Sequence, residues 1–239
     1  MCMFSMTVAS VSNTKIFARS SLDGYQFLVY SMSYEANTDL AMILPLPTPP
    51  NPSEDAVHFI DLSDYSEFFE DIFVPFMTRS ADPPSKSMSN LLVHDVGSFE
   101  ASFVPQIPDF SRLDSRFQLD NDIWSELPQY DDYGFAVFKL KAGAKSVHPM
   151  AFKFPRQNPK QLFFPTVHVH DGNVEPMAKF HHVLYCQSTE ERSEWNLSHN
   201  AARAFMDIDR TMGIVDPVLQ VQMLPMLGIF ENADVILEE

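Results

Sequence analysis

The sequence predicts an α+β protein, predominantly β, made of two pseudo-repeated antiparallel sheet units packed as one body, with peripheral helices and a helical C-terminal segment. Three observations predict it. The chain matches itself at an offset of 108 residues, apolar and polar residues alternate with period two between turn signals, and a few short stretches show helical spacing.

The self-match lays residues 23–47 over residues 131–155 without a gap. Asp23 meets Asp131, Tyr25 meets Tyr133, Phe27 meets Phe135, Val29 meets Val137, Ala36 meets Ala144, Met42 meets Met150 and Pro47 meets Pro155. Each copy alternates, breaks at a small or charged turn and resumes as an apolar run ending in proline, which is hairpin patterning. An Asn-Pro pair follows each copy, at Asn51-Pro52 and Asn158-Pro159, and then a further β-like run, AVHFIDL or LFFPTVHV. The chain thus reads as a single duplicated domain: a first unit of about 1–90, a second of 91–187 and a helical segment over 188–239. Half of it is small for an independent core, so the units are expected to share one.

Helices are expected at the margins. Tyr65, Phe68, Phe69, Ile72 and Phe76 keep the 3.6-residue period over 64–76, with Asp64 and Glu67 spaced as a capping box. Short helices are expected over 108–113 and 121–127. A longer one is expected over about 198–212, where Ala201, Phe205, Ile208 and Met212 form a stripe and Gly213 a stop. The run 45-PLPTPPNP-52 reads as a stiff connector.

Composition narrows the function. The charge is 16 − 32 = −16, which disfavours capture of a nucleic-acid backbone or an anionic bilayer. No two of the seven glycines lie within five positions of each other, so a Walker A loop, a dinucleotide fingerprint and a G-x-S-x-G elbow are all excluded. Two cysteines, Cys2 and Cys186, cannot build a disulfide framework, and no uncharged stretch reaches the roughly 20 apolar residues of a bilayer span. The first fourteen residues have neither a basic leader nor an unbroken apolar run. A soluble protein of the reducing cytoplasm is expected.

Charge is unevenly placed. Residues 31–71 hold nine acids and no lysine or arginine, whereas residues 139–179 hold seven bases against Asp171 and Glu175. The acidic window offers Glu67, Glu70 and Asp71 to a basic protein partner. The basic one offers Lys139, Lys141 and Arg156 to a small anionic ligand. Both windows also read as solvated or mutually paired faces.

The densest chemical signal is 166-TVHVHDGNVE-175. An Asp171-Gly172 turn between alternating runs predicts a hairpin in which His170 opposes Asn173 and His168 opposes Glu175, with Val167, Val169 and Val174 on the other face. His168, His170 and Glu175, completed by His182 on the next β-like run, then form a candidate site for a divalent metal such as zinc, iron or copper. The H-x-H-x4-E spacing resembles part of the first cupin motif over eight residues, but Leu162 and His182 stand where cupins carry glycine. The same pattern serves equally as a half-buried hairpin with solvated histidines. Removal of Met1 would leave Cys2 with a thiol and a free α-amine, the machinery of an N-terminal nucleophile hydrolase. Three functions follow: a non-catalytic binding module whose acidic surface docks a basic partner, a metal-binding protein or metal-dependent enzyme acting on a small anion, and a Cys2 hydrolase. The binding module makes the fewest demands on the sequence.

Overall fold

A computed structural model describes residues 3–77 and 100–239. The strands are β1 (Met3–Phe4), β2 (Ser10–Ser20), β3 (Tyr25–Ala36), β4 (Leu40–Leu46), β5 (His58–Ile60), β6 (Ala101–Val104), β7 (Gly134–Leu140), β8 (Gly143–Ser146), β9 (Met150–Pro155), β10 (Gln161–Phe164), β11 (Met177–Gln187), β12 (Asn196–Leu197), β13 (Gln222–Glu231) and β14 (Val235–Glu238). Two one-and-a-half-turn helices, α1 (Phe68–Phe73) and α2 (Asn121–Glu126), and several 3₁₀ turns complete the described chain. The protein is predominantly β. No helix among the described residues is long and apolar enough to cross a membrane.

The alternation predicts a hairpin inside each like segment, but the structure pairs the two segments with each other. Tyr25 opposes Pro155 and Tyr30 opposes Met150 where β3 meets β9. Ser33 opposes Ser146 where β3 meets β8, and Leu40 opposes Leu140 where β4 meets β7. Residues 25–46 therefore run antiparallel to residues 134–155 along a ladder that passes from one sheet into the other. The larger sheet has the order β12-β13-β11-β2-β3-β9-β5, with β8 beside β3; the smaller is β1-β4-β7-β6, and β10 and β14 make a third. Strands from both halves of the sequence lie side by side in both main sheets.

Burial follows the pleat. In β4, Met42, Leu44 and Leu46 join Tyr30, Phe152 and Phe154 between the sheets. The alternate residues Ala41 and Ile43 face the outer layer built by Phe110, Trp124, Tyr130, Val167 and Val169. A strand buried on both faces reads as one continuous apolar run, which is how 40–46 appears in the sequence. On the far face of the larger sheet, Phe17, Val29 and Tyr185 are covered by Phe68, Phe69 and Ile72 of α1 and by Met206, Ile214 and Val215. Met42 and Met150 are core residues, and the aromatics are mostly buried as their pattern implies.

The margins differ from the expectation. The helix predicted over 64–76 shortens to α1 and a 3₁₀ turn, and no side chain caps it at Glu67. The stretch 108–113 is a 3₁₀ turn over Ile107–Arg112, while α2 matches its expected place with the Asp120 side chain as cap. The helix expected over 198–212 does not form. The Ala202 and Arg203 amides donate to the carbonyls of Leu219 and Pro217, and the Asp207 amide to the Tyr65 hydroxyl, so the hydrogen bonds of a helix are spent on the neighbouring chain. Nor is the C-terminal segment helical, since 222–231 and 235–238 are strands. Pro225 and Gly228, both poor helix formers in a segment of period-two exposure, were the available signal.

Truncating the fully buried Leu44 to Ala is expected to cost about 2–5 kcal/mol. The exposed Leu227→Ala control should stay within about 0.5 kcal/mol. Urea denaturation followed by tryptophan fluorescence compares the two.

Candidate functional site

The histidine-bearing segment is not a hairpin. Between β10 and β11 the backbone makes a single parallel bridge, Val169 to Met3, and no pairing of 168–170 with 173–175 forms. Other partners satisfy its polar groups. The Thr166 and Val167 amides donate to Asp234 Oδ1 at 2.7 and 3.1 Å, and the His168 amide donates to Asn232 Oδ1 at 2.7 Å. Asn232 Nδ2 returns bonds to the His168 and Glu175 carbonyls at 3.0 and 2.8 Å. On the other side, Phe4 N and Val8 N donate to the carbonyls of Val169 and His170. The segment is thus clasped between the 232–234 turn and the N-terminal strand.

This clasp buries both faces. Val167 and Val169 enter the outer core as expected, but His168 and His182 are buried as well and His170 is nearly so. The three imidazoles come together: ring centroids of His168 and His170 lie 5.2 Å apart, as do those of His168 and His182. Phe180 closes the group at 4.3 Å from His168 and 4.7 Å from His182, and Phe4 meets His170 edge-on at 5.6 Å. Burial pushes His168 down to about 2 and His170 down to about 4, and it lowers His182 as well. All three are neutral rings in an aromatic stack at neutral pH.

The metal site read from the sequence is only half assembled. His168, His170 and His182 are brought together, but Glu175 is exposed outside the cluster and reaches it only through its backbone carbonyl. Without the hairpin nothing carries its carboxylate to the histidine face. Among the described residues no group of three His, Cys, Asp or Glu side chains converges on a metal position. Cys186 shares the inward face with His182, and burial raises its thiol to about 12, so it is an inert core residue. Cys2 lies outside the described residues.

The basic candidates are not one site either. Lys139 on β7 pairs with Glu100 at 3.0 Å, Lys141 is exposed in the turn after β7, and Arg156 follows β9 in the other sheet. Arg156 already holds an anion, Glu239 Oε2 at 2.6 Å, in the most buried ion pair among the described residues. The acidic candidates likewise have partners within the chain. Glu70 pairs with Lys15 at 3.2 Å, Glu67 with Arg210 at 3.3 Å, and Asp71 accepts from the Tyr65 hydroxyl at 2.7 Å. Of these contacts, Glu70–Lys15 ties α1 to β2 of the larger sheet and Glu67–Arg210 ties its start to the 208–211 turn.

Two features escaped the sequence reading. One is the half-buried Asp234, which accepts the Tyr130 hydroxyl at 2.6 Å in addition to the two amides and is held above the ordinary carboxylate range by desolvation. The other is the margin of β13. It pairs with β11 along its length but with β12 only at Gln222 and Met223, and its outer face carries Leu227 and Ile229 at 61% and 73% exposure. A small residue between an amide and a carboxylate, as in 232-NADV-235, is too common a pattern to have marked the first.

No protein-family model matches the chain. The arrangement of sheets is nevertheless that of a known multi-sheet β fold. The crystal structure of baculovirus P35 aligns over 99% of this chain and 99% of its own, with a TM-score of 0.59 at 13% identity. A mutated baculovirus P35 after caspase cleavage aligns over 95% and 99%, with a TM-score of 0.52 at 13% identity. A chain of the caspase-8/P35 complex aligns over 95% and 96%, with a TM-score of 0.49 at 14% identity. The similarity is one of architecture.

Asp234→Ala leaves two amides and a hydroxyl without their acceptor and is expected to cost about 2–4 kcal/mol. Asp234→Asn keeps the Oδ1 acceptor and should recover more than half of that loss. Thermal denaturation of both variants at pH 7 makes the comparison.

Proposed function

We propose that this protein is a non-catalytic binding protein whose partner is a caspase. The observation that carries the reading is the alignment with baculovirus P35 over 99% of both chains, since an architecture retained end to end supports a retained mode of use. The mutated P35 whose structure was determined after caspase cleavage supports a caspase as the partner class.

The acidic window 31–71 supports a finer version in which the partner's contact face is basic. A partner docking at Glu67, Glu70 and Asp71 would compete with Lys15, Arg210 and Tyr65 for their carboxylates. We also place the protein in the cytoplasm, on the strength of its two cysteines and the unpaired, buried Cys186.

The purified chain is expected to form a complex with caspase-8 that survives size-exclusion chromatography, and to lower caspase activity on a fluorogenic peptide. Intact mass of the recovered chain reports any cut. No association, inhibition or cleavage at roughly 10 μM of each protein would overturn the proposal, because it would leave an affinity too weak for a specific partner. Raising salt tests the finer version: complex formation should fall with ionic strength, and further in a Glu67→Gln, Glu70→Gln, Asp71→Asn variant.

A further inference from the structure

The histidine cluster does nothing that a binding function requires, yet it sits where the N-terminal strand is fastened. His168 lies with its ring centroid 5.2 Å from those of both His170 and His182, the group packs against Phe4 and Phe180, and two of the three imidazoles belong to the segment whose carbonyls receive the Phe4 and Val8 amides. Such rings are tolerated inside only while neutral, because an isolated buried charge is strongly penalised and three neighbouring cations also repel one another. We propose that His168, His170 and His182 form an acid-operated latch: protonation below neutral pH releases the strand Met3–Phe4 from β4 and the segment 166–170 with it, while the β4·β7 and β3·β9 ladders stay paired.

The surroundings offer little to stabilise the charged form. From β13, the residues between Gln222 and Phe230 carry no charge, and Met226 stands in register with His182. From β2, Thr14 is in register with His182, while Lys15 points to the other face and pairs with Glu70. On β11, His181 is exposed, accepts from the Asn13 amide and adds electrostatically to the lowering of His182. Phe4 of β1 and Phe180 of β11 bring no charge. Asp171 favours the cation only at the neighbouring His170, and Asp234 is engaged with the backbone of 166–167 and with Tyr130. Neither Nε2 of His168 nor that of His170 meets a hydrogen-bond partner among the described residues.

The sign is fixed by linkage. These imidazoles have lowered affinity for protons in the closed state and ordinary affinity when exposed. The stability they contribute is therefore complete above about pH 6.5 and drains away as pH falls toward their closed-state values. Nothing of the kind applies to β4 and β7, since Leu40–Leu46 and Gly134–Leu140 contain no histidine.

Hydrogen exchange followed by mass spectrometry, corrected for intrinsic rates, tests this on the whole chain. Between pH 7.5 and 5.0 the protection of residues 3–9 and 166–172 should fall roughly 30-fold for each imidazole exposed, while residues 40–46 and 134–140 hold theirs. Replacing a ring with a non-titrating one, in His170→Phe and separately in His182→Phe, should reduce the pH dependence by one such factor. Equal protection at both pH values, or a parallel loss in the β4·β7 ladder, overturns the proposal. If neither variant folds, NMR titration of the wild-type histidines decides. Three imidazoles that titrate near 6.5 with no change in exchange at residues 3–9 would likewise overturn it.

Discussion

Antiparallel pairing between residues 25–46 and 134–155 is the constraint from which both main sheets follow. It begins in the larger sheet, at Tyr25 opposite Pro155, and ends in the smaller one, at Leu46 opposite Gly134. Because one pair of chain segments serves both layers, the layers cannot be displaced independently, and the core between them is filled by alternate residues of the same strands. The β2–β3 hairpin, the parallel β2–β11 pair and β13 then extend one layer, and β6 and β1 the other. The partners in this ladder lie 88 (Leu46 and Gly134) to 130 (Tyr25 and Pro155) residues apart in the chain, so closing it carries a large loop-entropy cost.

Polar backbone outside the ladders is the second demand, and the 166–170 segment shows how it is met. A stretch buried on both faces must find a partner for every amide and carbonyl. Asn232 and Asp234 supply side-chain acceptors on one side and the N-terminal strand supplies donors on the other. That solution leaves the histidine side chains in an apolar space and forces them to be neutral. The imidazole stack is thus a consequence of where the backbone had to go, and its sensitivity to acid comes with the same geometry.

Charge is settled mostly within the chain. Glu67 and Glu70, which look like a docking surface in the sequence, hold α1 through Arg210 and Lys15, and Arg156, which looks like an anion receptor, holds Glu239. The exposed pairs of Glu67 and Glu70 contribute little to stability and leave the acidic field of the surface in place. What the surface offers openly is different: Leu227 and Ile229 on the outer face of β13, whose edge is covered by a neighbouring strand only at its first two residues.

The sequence by itself determined that the chain is mainly β and where many of its strands lie. Side-chain alternation in segments such as 25–36 and the unbroken apolar run 40–46 report burial on one face or on two. It also determined that no glycine-rich phosphate loop is present, and that four histidines crowd residues 168–182. It did not determine which strands pair, because alternation fixes a face and carries no address for the partner. Only the tertiary structure decided that the like segments pair with each other, that 198–212 turns back on residues 217–219, and that β13 replaces an expected helix. The same holds for the site. Composition placed His168, His170 and His182 near one another, but whether they face water, a metal or a core depends on Asn232 and Asp234, more than 60 residues away, whose bonds to the backbone hold the segment out of a hairpin and turn its polar face inward.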